Sequence, residues 1–370
     1  MKLSTKSRAI PVAMALAGSL ALAACGASNE SSSSSASGSN SAAALSGSLS
    51  GAGSTAQQAA MQGWTAGFNA MQPKVTVNYD PVGSGGGREQ FLSGGVQFAG
   101  SDAALSEDEL TKAKGRCGSD GVFELPDYIS AIALVYNVPG VDKLNLKPDT
   151  IAKIFAGSIK KWNDPAIAAD NAGTTLPDLA ISPVHRSDKS GTTKNFTDYL
   201  AKAGGGSWTK GAVDTWPLSG GEAAAGTSGV ISAVTAGKGT IGYADESQAG
   251  KLSIAKVGVG SSFVAPSAAA AAKVVEGSKV TSGRGKYDFA YEINRTTTAA
   301  DEYPIVLVSY HIGCVQNKDK STAELLKSFL GYVISSEGQQ AAAKAAGSAP
   351  ISDAVRTQSQ TAVDAITAGA

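Results

Sequence analysis

Two apolar periods alternate along most of the chain. Residues 49–55, L-S-G-A-G-S-T, predict a strand that runs into a glycine turn. Ala60, Trp64, Phe68 and Met71, spaced four, four and three, then predict an amphipathic helix. Ser54 or Thr55 would cap it, and Pro73 stops it. Val75, Val77 and Tyr79 alternate with polar residues, as a half-exposed strand does. Residues 96–105 read as a short strand ending at Ser101 and Asp102, and Ser106 to Glu109 fits a capping box for the next helix. Residues 128–138 are a long apolar run and predict a buried strand. Further on, residues 149–157 read as helix, 179–184 as strand, 229–236 as a short helix and 240–244 as strand. Residues 303–309 are another buried strand, and 322–346 one long helix carrying Leu325, Leu326, Phe329 and Val333. Residues 204–221 are loop-rich, and the Ala-rich stretch 265–300 fits neither period. Strands alternating with helices place the chain in the α/β class with mostly parallel sheets.

The polar residues that interrupt this pattern gather where strands feed helices. Residues 184–193 read V-H-R-S-D-K-S-G-T-T and open the helical run Phe196, Tyr199, Leu200. Ser190 can cap that helix through its hydroxyl, Gly191 lets the backbone approach a ligand, and Thr192 and Thr193 sit at the positive end of the helix dipole. Such a helix start is a ready anion site. Arg186 adds a planar, permanent cation, and Asp188 stands two residues on to hold it. The plainer alternative is a simple cap beside a surface ion pair. Residues 82–87, V-G-S-G-G-G, form a second such turn. It can present backbone N–H groups to a ligand or serve as a flexible turn. It matches neither the dinucleotide fingerprint nor a P-loop. Asp102 can be a turn former or a carboxylate aimed into a cleft. In open α/β sheets, ligands bind at strand ends of this kind.

Composition changes the picture at the N-terminus. Lys2, Lys6 and Arg8 precede an apolar, Ala-rich stretch ending in Leu22, Ala23, Ala24 and Cys25. This is the pattern of an export signal, too short for a comfortable membrane span. A Cys after L-A-A resembles the lipobox of bacterial lipoproteins, which makes 1–24 the signal and Cys25 the lipidated first residue. Residues 26–46 are almost all Ser, Ala, Gly and Asn and predict a flexible tether. The signal holds three of the 31 Lys and Arg and none of the 31 Asp and Glu, which leaves 28 basic against 31 acidic residues. That balance argues against nucleic acid as a partner. Any anion site must then act through local geometry. With Cys25 assigned to lipid, Cys117 and Cys314 remain. In an exported chain they suggest one disulfide, with two buried thiols as the alternative. His185 and His311 are the only histidines, so a zinc site is not expected.

Six segments in order carry a family resemblance: G-A-G-S-T (51–55), V-G-S-G-G-G (82–87), S-D-A-A-L-S (101–106), G-S-I-K-K-W-N-D (157–164), H-R-S-D-K-S-G-T-T (185–193) and T-I-G-Y (240–243). Together they resemble the phosphate-binding protein of bacterial phosphate ABC importers. The resemblance implies a two-lobed, type II periplasmic-binding-protein fold. Lobe I would hold residues 47–128 and 306–370, and lobe II residues 129–305. Two hinge strands would cross near Tyr128 and Pro304. Cys117 and Cys314 would share lobe I. The implied phosphate set is Ser54, Thr55, Ala56, Ser84, Asp102, Arg186, Ser190, Gly191 and Thr192, with Asp188 supporting Arg186. Asp102 would accept and the others donate. Ala56 stands where many members have an aromatic residue, which a backbone contact tolerates. The loop 220–229 looks long for the family, so no ligand contact is assigned to it.

The resemblance implies a monomeric, extracytoplasmic lipoprotein that hands inorganic phosphate to a membrane permease, with no cofactor and no catalysis. A binding protein for another oxyanion, sulfate or molybdate, is the nearest alternative. An adhesion or signalling module would explain the tether but not the convergent donors. A serine hydrolase or phosphatase would need Ser190 or Ser84 as nucleophile and His185 or His311 as base. The chain has no G-x-S-x-G elbow. His185 and Arg186 should also face opposite sides of their strand.

Overall fold

A computed structural model describes residues 44–369. The signal 1–24, Cys25 and the tether up to residue 43 lie outside the described residues. The main sheet runs, edge to edge, through Val75–Asp80, Gly47–Gly53, Phe98–Ser101, Val306–Cys314, Val122–Asn137, Thr240–Asp245, Ser182–Arg186 and Glu222–Ala224. The first three strands are mutually parallel and so are the last three. The two central strands run antiparallel to each other and to their outer neighbours. The parallel expectation therefore holds within each half and fails at the middle.

Val122–Asn137 explains how one chain builds two halves. All of its residues except the last are buried, which is why the sequence shows an apolar run with no alternation. Val122 to Ala131 pair with Val306–Cys314, and Ile132 to Asn137 pair with Thr240–Asp245. The change of partner falls at Ile132, whose N–H donates to Ile305 O at 2.8 Å. This is the mixed, two-lobed type II architecture with two crossing strands. One pairing reaches back from the stretch 129–305 to the first half. Tyr287–Asp288 pair in parallel with Phe123 and Glu124, in the first half of the sheet.

Local expectations met several physical overrides. Met71 is exposed, and the buried face of the first helix, Gln58–Met71, is Ala60, Met61, Trp64 and Phe68. The long helix is two, Lys320–Ile334 and Ser336–Ala346. Ser335 breaks it with an extended backbone and caps the second piece through Gly338 N at 3.0 Å. The break brings Gly338 O to the Trp64 indole at 2.8 Å. The glycines of 85–87 lie inside a helix, Ser84–Ser93, where a turn was expected. A Cβ on Gly87 would sit 2.4 Å from Ala52 O, so glycine lets this helix start lie directly on the first strand. The Ala-rich stretch contains a helix, Ala268–Glu276, capped by Ser267. The Ser106–Glu109 capping box forms as expected. Cys117 and Cys314 are joined, with Cα atoms 5.0 Å apart, so the free-thiol alternative falls.

Candidate functional site

Helix starts from both halves of the sheet meet at one point. From the first half, Ser54 Oγ accepts from Ala56 N at 3.1 Å and Gln57 N at 3.3 Å. It closes the turn ahead of the helix, and neither Ser54 nor Thr55 is the cap expected from the sequence, because the helix starts at Gln58 with Gln57 at its N-cap. Thr55 faces the other half. Its Oγ1 lies 2.9 Å from Thr227 Oγ1 and accepts from Thr227 N at 3.1 Å. The carbonyls of Thr55 and Ala56 take the Gln248 amide at 2.9 and 3.3 Å. Ser84 follows Gly83, whose φ of 88° is a left-handed value that glycine tolerates, and opens its helix.

Asp102 is the centre of the arrangement. It is buried, and its Oδ2 accepts from Ser84 Oγ at 3.3 Å and Thr192 Oγ1 at 3.1 Å. Its Oδ1 accepts from Ser309 Oγ at 2.9 Å, and its N–H donates to Ser84 Oγ at 3.1 Å. Burial raises the Asp102 pKa above the ordinary value, while Ser54, Ser309, Thr192 and the Arg186 charge oppose that rise. Three hydroxyls converging on one carboxylate keep the buried charge solvated by protein groups.

From the second half, Ser182–Arg186 ends in Arg186, whose guanidinium is buried and held by Asp188, with Nε to Oδ1 at 2.7 Å. Burial alone would raise the Asp188 carboxyl, but the hydrogen bonds and charge of Arg186 win and hold it below its ordinary value. Gly226 N adds a donor to Asp188 Oδ1 at 3.0 Å. Ser190 caps the helix Gly191–Ala203 by accepting from Thr193 N at 3.2 Å. A Cβ on Gly191 would lie 2.7 Å from Ser84 Oγ and 2.8 Å from Asp102 Cβ. Glycine is therefore what lets this helix start reach the first half. Thr192 faces the cleft, whereas Thr193 turns inward to the Tyr243 hydroxyl at 2.7 Å.

Every residue of the expected set thus lies at this junction, with Ser54 and Asp188 acting through neighbours. The sequence reading missed Ser309, Thr227, Gly226, Arg88, Asp214 and Asn195, the last of which donates its side-chain amide to Asp102 O at 2.6 Å. The loop 220–229, left without a contact, reaches the site through Gly226 and Thr227, because the helix expected at 229 already starts at Gly226. Its A-G-T-S opening repeats the small-residue helix start of S-G-T-T and was a usable signal. Ser309, the one serine inside V-L-V-S-Y-H-I, was another.

The residues considered for catalysis are separated. His185 stacks on Trp216 with centroids 5.0 Å apart, and its ring nitrogens lie near Arg186 O and Gly220 O. His311 is buried with Nδ1 against Asp127 Oδ2 at 2.5 Å, packed by Trp64, Phe98 and Phe329. Neither ring touches Ser84 or Ser190. Among the described residues, no group of three His, Cys, Asp or Glu side chains could hold a metal ion.

Residues 38–337 match the family described as PBP superfamily domain. Phosphate-binding protein PstS 3 of Mycobacterium leprae is 39% identical over 319 residues, 85% of each chain. Phosphate-binding protein PstS2 of Mycobacterium bovis is 38% identical over 365 residues, 96% of this chain and 97% of the relative. A high-affinity periplasmic phosphate-binding protein solved with phosphate superposes with a TM-score of 0.72 at 24% identity, over 85% of this chain and 93% of that one. The phosphate-binding protein of Stenotrophomonas maltophilia superposes with a TM-score of 0.67 at 19% identity, over 85% and 94%.

Proposed function

The chain belongs to the PBP superfamily and, within it, to the PstS phosphate-binding proteins, and from that premise we propose that it captures inorganic phosphate between its two lobes and delivers it to an ABC permease. It acts as a binding subunit and not as an enzyme. Thr55, Ala56, Ser84, Arg186, Ser190, Gly191 and Thr192 donate to the anion. Ser54 and Asp188 hold the first turn and the arginine.

The observation that carries this reading is a single buried carboxylate, Asp102, among converging donors. An ionised carboxylate only accepts. Hydrogen phosphate can give it a proton in a charge-assisted bond, and sulfate has none to give. Isothermal calorimetry against phosphate, arsenate, sulfate and molybdate tests the reading. Saturable heat with phosphate and none with sulfate is the expected result. Equal binding of sulfate would overturn it.

We place lobe I at residues 47–128 and 306–370 and add residues 279–293 to it, because Tyr287–Asp288 join its sheet. The remainder of 129–305 forms lobe II, and the crossings near Ile132 and Ile305 act as hinge. Closure of two lobes on a ligand is the behaviour the handling of small solutes by such binding proteins exemplifies. Small-angle scattering should show compaction with phosphate, and an unchanged radius of gyration would argue for a rigid site. Lipid on Cys25 anchors the monomer to the outer face of the membrane, by two or more acyl chains. Cys25→Ala should release it, and continued membrane retention of processed protein would remove the anchor from the proposal.

A further inference from the structure

The hydrogen bonds around Asp102 are not symmetric. Oδ2 meets Ser84 and Thr192, both members of the phosphate set and both at helix starts facing the cleft. Oδ1 meets Ser309, which lies on the crossing strand Val306–Cys314 and is fully buried behind the carboxylate. One edge of the carboxylate looks at the ligand space and the other looks at the sheet.

Register explains why Ser309 stands there. Val306–Cys314 pairs antiparallel with Phe98–Ser101, with Tyr310 opposite Ser101. One step further along both strands brings Ser309 beside Asp102, and side chains opposite each other in an antiparallel pair share a face. On the other side, Ser309 faces Tyr128 and Tyr310 faces Pro126, so Asp127 is the extra residue of a bulge. Bulges re-aim side chains at functional sites. Here the bulge turns Asp127 to His311 and keeps Ser309 on Asp102. Pro126 fits the irregularity because it has no N–H to contribute to the ladder.

Resting on the phosphate reading above, we propose that Ser309 is a positioning residue for phosphate recognition: it occupies Asp102 Oδ1, holds the carboxylate in its ionised form, and so leaves Oδ2 as the acceptor of the phosphate proton. When phosphate arrives, the Ser84 and Thr192 hydroxyls turn from Oδ2 to the phosphate oxygens, and the phosphate O–H takes their place on Oδ2. The proton stays on phosphate in a hydrogen bond, so no bond is formed or broken. Ser309 never touches the ligand. A hydrogen bond donated to the charged form of a carboxylate favours that form, and this one opposes the effect of burial.

Other groups also face Asp102. Arg186 comes from Ser182–Arg186, and Lys194 from Gly191–Ala203. Arg295 lines the same cavity of about 400 Å³. Arg88 reaches Ser101 from Ser84–Ser93, Tyr79 approaches from Val75–Asp80, and Asp127 and His311 lie behind on the crossing strands. All of them are retained when only Ser309 is changed. The ratio of mutant to wild-type affinity at each pH therefore isolates Ser309, and it also cancels the titration of phosphate itself.

The test is calorimetric titration of phosphate into wild type, Ser309→Ala, Ser309→Thr and Ser309→Cys between pH 5.5 and 8.5. For Ser309→Ala, affinity should fall about threefold or less at the alkaline end and tenfold or more at the acid end. Ser309→Thr should restore the wild-type profile. Ser309→Cys, close in size but a weak donor, should lie between the two and keeps the test intact where alanine fails to fold. A loss that is equal at every pH would show that Ser309 only packs, and no loss would show that Asp102 does without it. Either overturns the assignment while leaving phosphate binding in place. Wild-type protein that gives no phosphate heat at any pH overturns the phosphate reading and this proposal with it.

Discussion

Arg88 Nη2 lies 2.9 Å from Asp214 Oδ2, and the pair joins the two halves of the sheet beside the ligand junction. Arg88 is fixed from its own side by Glu109 at 3.0 Å and Ser101 Oγ at 3.0 Å, and its side chain is almost fully buried. Asp214 is fixed from the other side, since its carbonyl accepts from Ser190 N at 2.8 Å. The bridge thus connects a buried arginine in the first half to Ser190, the cap of the helix Gly191–Ala203, in the second. A hydrogen bond to a charged group contributes roughly 1.5–3 kcal/mol. On the lobe opening proposed above, the bridge must break before phosphate leaves, so it should slow opening. We predict that Asp214→Asn raises the phosphate dissociation rate by roughly tenfold or more, since 1.4 kcal/mol is a factor of ten. Association should change little. Stopped-flow dissociation with a phosphate trap measures this, and an unchanged rate would show that the bridge is not part of closure.

Selectivity makes a separate prediction at Asp102. An anion oxygen that meets this carboxylate without a proton between them, in a dry cleft, costs roughly 2–5 kcal/mol. Asp102→Asn keeps the shape but can also donate. The ratio of phosphate to sulfate affinity should then fall by a factor of about ten or more. Competition calorimetry reads the ratio directly. A mutant that keeps the wild-type ratio would place discrimination elsewhere in the cleft.

The contrast between Ser190 and Arg88 shows what a sequence can and cannot convey here. Ser190, Gly191 and Thr192 were legible because capping is local: the hydroxyl, the small residue and the helix they serve lie within a few positions. The Ser106–Glu109 box was legible for the same reason. Arg88 and Asp214 are 126 positions apart, and Ser309 and Asp102 are 207 apart. Such pairs leave no periodic trace: the register of Val306–Cys314 on Phe98–Ser101 sets Ser309 beside Asp102, and the meeting of a helix from one half with a loop from the other sets Arg88 beside Asp214. The glycines 85–87 misled because their composition describes a turn. Their role is close packing of a helix start, as the 2.4 Å approach at Gly87 shows. The break at Ser335 was hidden because a serine that caps one helix is compatible with the interior of a longer one.

The Cys117–Cys314 bond closes a long loop, with a sequence separation of 197. In the chain-entropy account a loop of that size restricts the unfolded state by about 5 kcal/mol, an upper figure. Cys117 ends the helix Glu107–Cys117 and Cys314 ends the crossing strand, both within the lobe I proposed above. The bond therefore should not resist movement of one lobe against the other. We predict that the double variant Cys117→Ser, Cys314→Ser loses roughly 2–5 kcal/mol of unfolding free energy, while its phosphate affinity stays within about twofold. Urea denaturation and calorimetry on the same preparation check both halves of the statement. A large loss of affinity in a still-folded variant would tie the bond to the site.

Asp245 gives the fold a pH dependence of its own. It ends the strand Thr240–Asp245 opposite Ile132, where the long strand changes partner. The Tyr128 hydroxyl donates to its two oxygens at 3.2 and 3.1 Å, and Ser247 N donates to Oδ1 at 3.0 Å. Burial nevertheless pushes its pKa up to about 7 from an ordinary 3.8, with those hydrogen bonds opposing the rise. Below 3.8 the carboxyl is protonated in both folded and unfolded chains, and its contribution to stability is fully present. As the pH rises, the unfolded chain releases the proton first while the folded chain keeps it until about 7. The folded state then binds more protons, so stability falls with rising pH across that window. A shift of this size amounts to roughly 4 kcal/mol at 1.36 kcal/mol per unit. Asp245→Asn cannot ionise and removes the falling limb. The variant should therefore gain stability relative to wild type between pH 5 and pH 8, by a few kcal/mol in urea unfolding. Stability curves that run parallel over that range would show that Asp245 titrates near its ordinary value in the folded protein.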